Sequence, residues 1–564
     1  MKIYKFFIHY SLFIILLLAA VLRLWNLSSI PPGLTPDEAS LGYNAYSILK
    51  TGKDEYGQVL PVIFKSFGDY KPGLYVYLTV PFVALFGLTE LAVRLPSAMA
   101  GIFAAWLLYK IVELLFAKQN HQTQVTSHKS LTSIAALLLA ISPWHIHFSR
   151  GAWEANVSLT FTLAGIYYFL KALKDSKFLF HASLLFSITF LTYQGAKLST
   201  SIVIFTLTLV FWREVKKWFS SASRDLAGSI LVGLLISLPI ALSLLQSKTG
   251  RLEVFSIFSY KRPQEQIQNI FDQEGITFKS LSFKLFHSEE LNTSRAILGR
   301  WFNHFSTRFL FFEGDWQNPR HSSPNHGMLL LSDLVFLIAG FVVLVRIKGK
   351  APLFILLWLI LVPLPAALSR DQVHAVRALN LVIPLTMVSA IGLISILNYV
   401  SKFDRLRVAS YAFIFTFYLL PFTLFLDSYF VHSPVHNAKY WFYGYKQAVE
   451  VITPIQNNYQ NIVFQQSYDQ PYIYFLFYQK YDPSKNQKQA KLTKGGVDVG
   501  LVEKLDNISF ESFSWPFPTD RKNTLIVGNP VGIPPNIHQN DYKIIKEIKY
   551  PDVFETSFRI VEVK

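Results

Sequence analysis

Long apolar runs recur from the N-terminus to about residue 427, and they constrain the fold more than any other feature of the chain. Each run is long enough, or nearly so, to cross the hydrocarbon core of a bilayer as a helix. The eleven candidate spans are 6–27, 95–116, 130–142, 155–173, 179–193, 198–212, 226–246, 327–345, 352–368, 378–399 and 408–427. Charged residues are only 16% of the 564 residues, against roughly a quarter in a soluble domain. The sequence therefore predicts a polytopic α-helical membrane protein.

The net charge of +17 raises the question of a nucleic-acid partner. The basic residues lie mainly in short loops between apolar runs, where they orient the chain and meet anionic lipid headgroups. No basic stripe interleaved with aromatic residues marks a nucleic-acid-binding module, so we expect membrane lipids and no nucleic acid as partners. The chain has no cysteine, which excludes disulfides and thiolate metal sites.

The run 74–88 decides the orientation, because it is short for a span and contains Pro81. If it does not cross, the short loops on the side of the N-terminus hold fifteen basic residues: Lys118, Lys129, Lys171, Lys174, Lys177, Arg213, Lys216, Lys217, Arg224, Arg346, Lys348, Lys350, Lys402, Arg405 and Arg407. The opposite short loops hold four, Arg150, Lys197, Arg370 and Arg377. The positive-inside rule places the first set in the cytoplasm. We therefore expect eleven spans in the plasma membrane, with 74–88 lying in or dipping into the outer interface.

This orientation leaves three larger segments outside the cell, residues 28–94, 247–326 and 428–564. We predict a transmembrane domain over 1–427, with interfacial helices in the first outer loop (28–94) and a large second outer loop (247–326). The tail 428–564 is too polar to span. An amphipathic helix at Tyr440–Ile452 and several strand-like runs predict a small α/β extracytoplasmic domain there. The strand-like runs are Ile462–Gln465, Tyr472–Tyr478, Leu525–Val527, Tyr542–Ile548 and Phe558–Val563.

An acidic pair, Asp37 and Glu38, follows the first span. The residues from Thr35 to Glu38 suit a helix start, because Thr35 can cap, Pro36 fits the first turn and Glu38 completes a capping box. This structural interpretation is compatible with a catalytic one, since a capped helix would hold Asp37 rigidly at the membrane surface. A carboxylate in that place can accept the proton of an attacking hydroxyl.

Lys71 lies later in the same loop, between Tyr70 and Pro72. As a structural residue it would snorkel to the interface, and as a functional one it would place a point charge on a phosphate. Arg94, at the start of the second span, allows the same two interpretations. An acidic pair and a lone cation at the rim of the bilayer suit the activation of a hydroxyl beside a lipid-bound phosphate.

Further polar residues lie in the short outward loops. Arg150 and Glu154 are four residues apart and form either a helix-surface pair or part of the site. Before the tenth span, Arg370 and Arg377 are spaced to cradle an anion, unless a neighbouring aspartate neutralises one of them. His374 lies between them. Another polar cluster, which matches no metal-ligand spacing, comprises Glu313, Asp315, His321 and His326. No metal site is predicted.

Five stretches stand out by their polar residues. They are T-P-D-E-A-S-L-G-Y-N-A at 35–45, G-D-Y-K-P-G-L-Y at 68–75, F-G-L-T-E-L-A-V-R-L-P-S-A at 86–98, S-P-W-H-I-H-F-S-R-G-A-W-E-A-N at 142–156 and H-A-V-R-A-L at 374–379. Over residues 20–400 the chain resembles the bacterial GT-C glycosyltransferases of the protein O-mannosyltransferase and aminoarabinose-transferase type. The resemblance implies a GT-C-like catalytic domain that transfers one sugar from a polyprenyl-phosphate carrier to a hydroxyl on the outer face, usually with inversion.

The resemblance also implies roles for individual residues. Asp37 would be the catalytic base and Glu38 a substrate contact. Glu154 matches the second acidic position of the family, which is commonly Asp. With His374, it is expected to bind substrate. The resemblance implies that Lys71 and Arg94 meet the carrier phosphate. Arg150, Arg370 and Arg377 are further expected phosphate-binding residues because of their positions in outward loops.

The sequence leaves the acceptor open among a protein, a lipid and a cell-envelope glycan. No cofactor is required, because the donor carries no nucleotide diphosphate that a metal must neutralise, and the part of a divalent metal is left open. The alternative function is a lipid or glycan transporter or flippase, which would place charges near the membrane midplane. An oligosaccharyltransferase would carry a W-W-D-Y-G-like motif, which the tail lacks.

Overall fold

The computed structural model of the chain describes residues 2–117, 128–246, 256–403, 407–467, 469–489, 492–495 and 499–564. Lys118, Arg405 and residues 247–255 of the second outer loop lie outside the described residues. The helices of the spans and outer loops are α1 (Lys2–Leu24), α2 (Pro36–Thr51), α3 (Leu74–Phe86), α4 (Glu90–Phe116), α5 (His128–Ala140), α6 (Pro143–Ser149), α7 (Glu154–Ala172), α8 (Phe178–Phe190), α9 (Ala196–Val210), α10 (Trp212–Ser221), α11 (Ser223–Leu245), α12 (Gln264–Glu274), α13 (Glu289–Asn303), α14 (Asp333–Arg346), α15 (Lys350–Leu361), α16 (Leu364–Ala367), α17 (Val382–Val400) and α18 (Arg407–Asp427).

A helix lies at each of the eleven predicted spans. Within the described ranges, five helical stretches are long and apolar enough to cross a membrane: Glu90–Phe116, Ser223–Ser243, Lys350–Ala367, Leu379–Val400 and Arg407–His436. Two more pairs qualify as bent spans, Ser130–Ala140 with Pro143–Ser149 (57°) and Ala196–Val210 with Trp212–Ser221 (84°). The membrane-protein class is confirmed, and the number of crossings stays a prediction. The helix α6 occupies part of what the sequence predicted as an outward loop.

Two glycines allow helices α14 and α17 of the membrane domain to pack with their backbones close together. A Cβ on Gly392 of α17 would overlap the carbonyl oxygen of Phe336 on α14, and a Cβ on Gly340 of α14 would overlap that of Val388 on α17. Small residues let helix backbones approach closely, and dispersion contacts then hold them together in lipid.

The first outer loop is built from α2, a hairpin and α3. Helix α2 begins with the predicted capping box and with Pro36 in its first turn, and it ends at Gly52 in the left-handed conformation. Strands β1 (Ile63–Ser66) and β2 (Asp69–Pro72) pair antiparallel, with Lys71 opposite Phe64. The run 74–88 is helical as predicted, since it forms α3. Whether α3 crosses the membrane remains a prediction.

The C-terminal tail contains the predicted α/β fold. Its helices are α19 (Ser433–His436), α20 (Tyr445–Ile452), α21 (Pro471–Tyr478) and α22 (Pro483–Gln489). Its strands are β3 (Asn461–Gln465), β4 (Leu492–Gly495), β5 (Val499–Val502), β6 (Lys504–Leu505), β7 (Ile508–Glu511), β8 (Thr524–Gly528), β9 (Tyr542–Lys549) and β10 (Thr556–Val563). Six strands form one sheet in the order β6-β7-β3-β8-β10-β9, in which β3 runs parallel to β7 and β8.

One predicted strand was wrong. Residues Tyr472–Tyr478 form most of helix α21, with Pro471 in its first turn. Every residue of α21 up to Phe477 is buried. Because an element buried on all sides has no polar face, its apolar pattern cannot separate a helix from a strand. The predicted helix Tyr440–Ile452 is shorter than expected and begins at Tyr445.

The C-terminal domain packs directly on the first outer loop. The Tyr474 hydroxyl donates to the carbonyl oxygen of Leu34 at 3.1 Å, just before α2 begins. The Tyr43 hydroxyl of α2 donates to the carbonyl oxygen of Tyr481 at 3.0 Å. Their apolar side chains share one core that includes Tyr43, Tyr474 and Phe464. The position of α2 is therefore set partly by the distant end of the chain.

Candidate active site

An ion pair between α2 and the hairpin forms the centre of the candidate site. The hydroxyl of Thr35 accepts the backbone N–H of Glu38 at 3.2 Å, which fixes Asp37 in the first turn of α2. Strand β2 carries Lys71, whose ammonium donates to Oδ1 of Asp37. The Asp37 side chain is 49% exposed and the Lys71 side chain 16% exposed. The two residues that sequence reasoning singled out first therefore meet at a surface that a substrate can reach.

Glu154 lies beside this pair. It is the first residue of α7 and is half-buried, and its carboxyl interacts electrostatically with both Lys71 and Asp37. We term Asp37, Lys71 and Glu154 the rim cluster. The rim cluster therefore places two carboxyl groups near one ammonium, an arrangement that is common in acid–base sites.

Two residues that the sequence analysis did not single out extend the rim cluster. The side-chain amide of Gln194 donates to the carbonyl oxygen of Tyr70 at 2.6 Å, next to Lys71. Tyr193 interacts electrostatically with both Glu154 and Arg377. These contacts connect the rim cluster to the loop before the tenth predicted span. The sequence feature that could have indicated them is a polar Tyr-Gln pair at the outward end of the predicted span 179–193.

Arg94 and Glu38 lie behind the rim cluster and bind each other. Nε of Arg94 donates to Oε1 of Glu38 at 3.1 Å, and the two side chains are 0% and 5% exposed. The remaining donors of Arg94 bind three backbone carbonyl oxygens of the preceding loop, those of Leu27 (3.1 Å), Pro31 (2.9 Å) and Gly33. Glu38 also accepts the backbone N–H groups of Thr35 and Ala152. These contacts favour a positioning role for both residues over the substrate and phosphate contacts expected from the sequence.

Arg150 has a similar environment. It is fully buried, and its guanidinium donates to three backbone carbonyl oxygens at the end of α1 and in the loop that follows, those of Leu22 (3.0 Å), Trp25 (2.7 Å) and Ile30 (3.0 Å). It also lies 4.8 Å from the centre of the Phe430 ring. Arg150 therefore ties the first outer loop to the membrane domain, which favours a structural role over the predicted phosphate contact.

The arginines before the tenth predicted span are more open. Nη1 of Arg377 binds Oδ2 of Asp371 at 2.8 Å, so the neutralising aspartate that the sequence left open is present. Arg370 is 41% exposed and donates to the Tyr260 hydroxyl at 3.0 Å. A cavity of about 430 Å³ opens beside Arg370 and is also lined by Arg300. Arg377 interacts electrostatically with Tyr193, which also interacts with Glu154 of the rim cluster. Phosphate binding by Arg370 or Arg377 remains a prediction.

One group of described side chains brings potential metal ligands within 4.8 Å of one another, namely Asp315, His321 and His374. Asp315 Oδ2 already accepts hydrogen bonds from Nδ1 of His321 and the backbone N–H of Ala375, both at 2.8 Å. Burial lowers the pKa of His374, and Arg377 lowers it further. A nearby guanidinium opposes the binding of a second cation. The arrangement fits a buried hydrogen-bond network better than a metal centre, and it places His374 beside the site rather than at the rim cluster.

Comparison with known proteins agrees with this architecture. Residues 70–242 match the sequence profile of the dolichyl-phosphate-mannose-protein mannosyltransferase family. Among curated proteins, none matches the chain. Two crystal structures of ArnT from Cupriavidus metallidurans each align over 97% of both chains. The form bound to undecaprenyl phosphate gives a TM-score of 0.55 at 11% identity, and the apo form 0.52 at 12%. The archaeal oligosaccharyltransferase AglB from Archaeoglobus fulgidus aligns over 84% of this chain and 64% of its own, with a TM-score of 0.49 at 12% identity.

The chain is thus a multi-pass membrane protein with the GT-C fold. Its fold is that of ArnT, and the matched segment, which contains Lys71, Arg94 and Glu154, is mannosyltransferase-like. The family match over this segment points to a glycosyltransferase.

Proposed function

We propose that this protein transfers one sugar from a polyprenyl-phosphate carrier to a hydroxyl acceptor on the outer face of the plasma membrane. The contact between Asp37 and Lys71 carries the proposal, because it pairs a proton acceptor with a phosphate-binding cation on the outer loop. The ArnT structure that holds undecaprenyl phosphate supports a carrier of this kind. A protein, a lipid and a cell-envelope glycan remain possible acceptors.

The reaction follows from the two groups of the pair. The acceptor oxygen attacks the anomeric carbon as Asp37 takes its proton, so that a nucleophilic alkoxide develops only during the attack. The bond from the anomeric carbon to the phosphate oxygen breaks, and its electron pair leaves with the polyprenyl phosphate. A single displacement of this kind inverts the anomeric configuration.

Lys71 has two partners in this scheme. In the structure its ammonium binds Asp37. An arriving carrier phosphate would compete for the same ammonium and leave Asp37 free to face the acceptor. Lys71 would then offset the charge that grows on the departing phosphate. Since a phosphate monoester leaves readily when a cation offsets its charge, we propose that no metal or cofactor is needed, and chelation by EDTA should leave turnover unchanged.

The decisive experiment uses the full chain in proteoliposomes with polyprenyl-phosphate sugar donors. Asp37→Asn should abolish transfer and keep carrier binding, whereas Lys71→Met should weaken carrier binding as well. Asp272→Asn, on the exposed helix α12, is the matched control for the loss of a carboxylate. Transfer at the wild-type rate by Asp37→Asn would overturn the proposal. Movement of the intact carrier lipid across the bilayer without sugar transfer would indicate a flippase.

The proposed orientation has its own test. The cysteine-free chain allows single-cysteine labelling, with Lys53→Cys in the first outer loop and Lys402→Cys in a predicted cytoplasmic loop, both exposed. A membrane-impermeant maleimide should label only the first in intact cells. The reverse pattern would place the rim cluster in the cytoplasm.

A further inference from the structure

The second outer loop has an exposed apolar surface. Between residues 276 and 303, six large apolar side chains are each 56–71% exposed: Phe278, Leu281, Leu285, Phe286, Leu298 and Phe302. We term these six the loop apolar face. Single exposed apolar residues are ordinary on a soluble surface, but a concentration of them in one segment marks an interaction site.

Their exposure equals that of residues on the predicted spans. Leu234 on α11, Ile338 on α14 and Phe413 on α18 are 65%, 60% and 69% exposed. Those side chains face outward from apolar helices, where lipid is the natural solvent. The loop apolar face therefore has the exposure expected of a surface that hydrocarbon covers.

The segment that carries the loop apolar face is packed, and Phe278 of the face takes part in that packing while it remains 60% exposed. The rings of Phe271, Phe278 and Phe283 lie 4.7–5.2 Å apart and join α12 to the turn that follows it. An ion pair between Arg262 and Glu289 at 3.0 Å and a contact between the His287 ring and the Glu274 carboxyl at 2.9 Å close the same region.

The end of α13 contacts a candidate span. Nε1 of Trp301 donates to the carbonyl oxygen of Ile360 at 2.8 Å, and Arg300 donates to that of Arg370 at 3.0 Å. Ile360 is 49% exposed and belongs to the candidate span Lys350–Ala367. Leu298 and Phe302 lie within three residues of Trp301 on α13, and their exposed side chains are therefore close to that span.

Helix α13 has two different sides. Asn292, Ala296 and Arg300, spaced by four residues, line the cavity of about 430 Å³. Leu298 and Phe302 each follow one of these positions by two residues, which turns them about 200° around the helix. Helix α13 thus separates a cavity that Arg300 and Arg370 help to line from an apolar exterior on the other side.

The charge of the segment suits a bilayer surface. Residues 276–303 contain four basic residues, Lys279, Lys284, Arg295 and Arg300, against two acidic ones, Glu289 and Glu290. Of the basic residues, Lys279, Lys284 and Arg295 are exposed. Cations beside an apolar surface can bind the phosphates of lipid headgroups while the apolar side chains enter the hydrocarbon.

From these observations we infer that the loop apolar face is seated in the outer leaflet of the bilayer, beside α15. The segment 276–303 then lies in the interface of the bilayer, and its apolar side chains contact lipid chains. The cavity on the other side of α13 opens at the level of the headgroups. This inference depends on the span assignment and not on the proposed reaction, so either can fail alone.

Spin-label accessibility in lipid nanodiscs tests the inference with the full chain. Labels at Phe286→Cys and Phe302→Cys are compared with two references made by the same substitution. Phe413→Cys lies on a predicted span, and Phe554→Cys is an 88% exposed position on the C-terminal domain. The thermal unfolding temperature of each variant confirms that it is folded.

The ratio of accessibility to oxygen over accessibility to a water-soluble nickel chelate distinguishes lipid from water. We expect this ratio at 286 and 302 to approach that of the label at 413 and to exceed that of the label at 554 several-fold. A ratio equal to that at 554 would overturn the inference. Protection from both reagents, together with dipolar broadening between labels, would show a second copy of the chain on this surface and would also overturn it.

Discussion

The variant Arg94→Met tests whether Arg94 positions Glu38 or binds the carrier phosphate. The side chain is fully buried, and it joins Glu38 to three carbonyl oxygens of the loop that leads into α2. Methionine keeps much of the volume and removes the charge. The Glu38 carboxylate would then be buried without a cation, and breaking a buried ion pair from one side costs about 3–5 kcal/mol.

The variant Lys71→Met is the control for the predicted loss of stability. The Lys71–Asp37 pair is partly exposed, at 16% and 49%, and such pairs contribute about 0–1 kcal/mol to stability. The same substitution at two cations should therefore lower the stability of the purified, carrier-free protein strongly at Arg94 and hardly at all at Lys71. The order for carrier affinity should be the reverse.

Thermal unfolding in detergent without carrier lipid, followed by a carrier-binding titration, gives both quantities. The double variant Glu38→Gln with Arg94→Met should lose less stability than the two single variants combined, because no uncompensated charge remains. If Arg94→Met unfolds at the wild-type temperature and loses only carrier affinity, Arg94 is a phosphate ligand and the reasoning is refuted.

Two further predictions concern the scaffold. Glu55, in the first outer loop, is fully buried and accepts a hydrogen bond from Asn44 of α2 at 2.8 Å; burial raises its pKa from 4.5 to about 8. Because the folded pKa lies above the unfolded one, its stabilising contribution is fully present below about pH 4.5 and is lost as the pH rises towards 8, a change of at most about 5 kcal/mol. The unfolding temperature should fall over this range in the wild type and less steeply in Glu55→Gln, and equal slopes would contradict the assignment. For the second, Gly392→Val would drive a side chain into the carbonyl of Phe336 and should cost about 1–3 kcal/mol, measured as a lower unfolding temperature; the exposed Gly299→Val, whose Cβ would meet nothing, is the control.

Some of the candidate site was predictable because its signals are local. The capping box needs only the four residues from Thr35 to Glu38, and the structure forms it. A cap fixes the start of α2, and this in turn fixes Asp37 in the first turn. Lys71 lies on the second strand of a hairpin that the sequence did not predict. Its place with Asp37 in one site at the rim of the bilayer was predicted.

Other residues could not be assigned from the sequence, since burial decides between the roles of an arginine. Arg94 and Arg150 both occupy predicted outward positions, as a phosphate ligand would. In the structure their guanidinium groups are buried against backbone carbonyls. Tyr193 was missed for a related reason, because it reaches Glu154 and Arg377 only through tertiary contacts.

The sequence by itself determined the membrane class, the helical spans and the capped helix that bears Asp37, because apolar run length and capping depend on neighbouring residues. Tertiary structure alone decided that a hairpin carries Lys71 to Asp37, that Arg94 binds Glu38, and that α21 is a helix docked against the first outer loop. The physical reason is that a charged side chain and a fully apolar segment each have several stable environments. Which one is occupied depends on partners that lie far away along the chain.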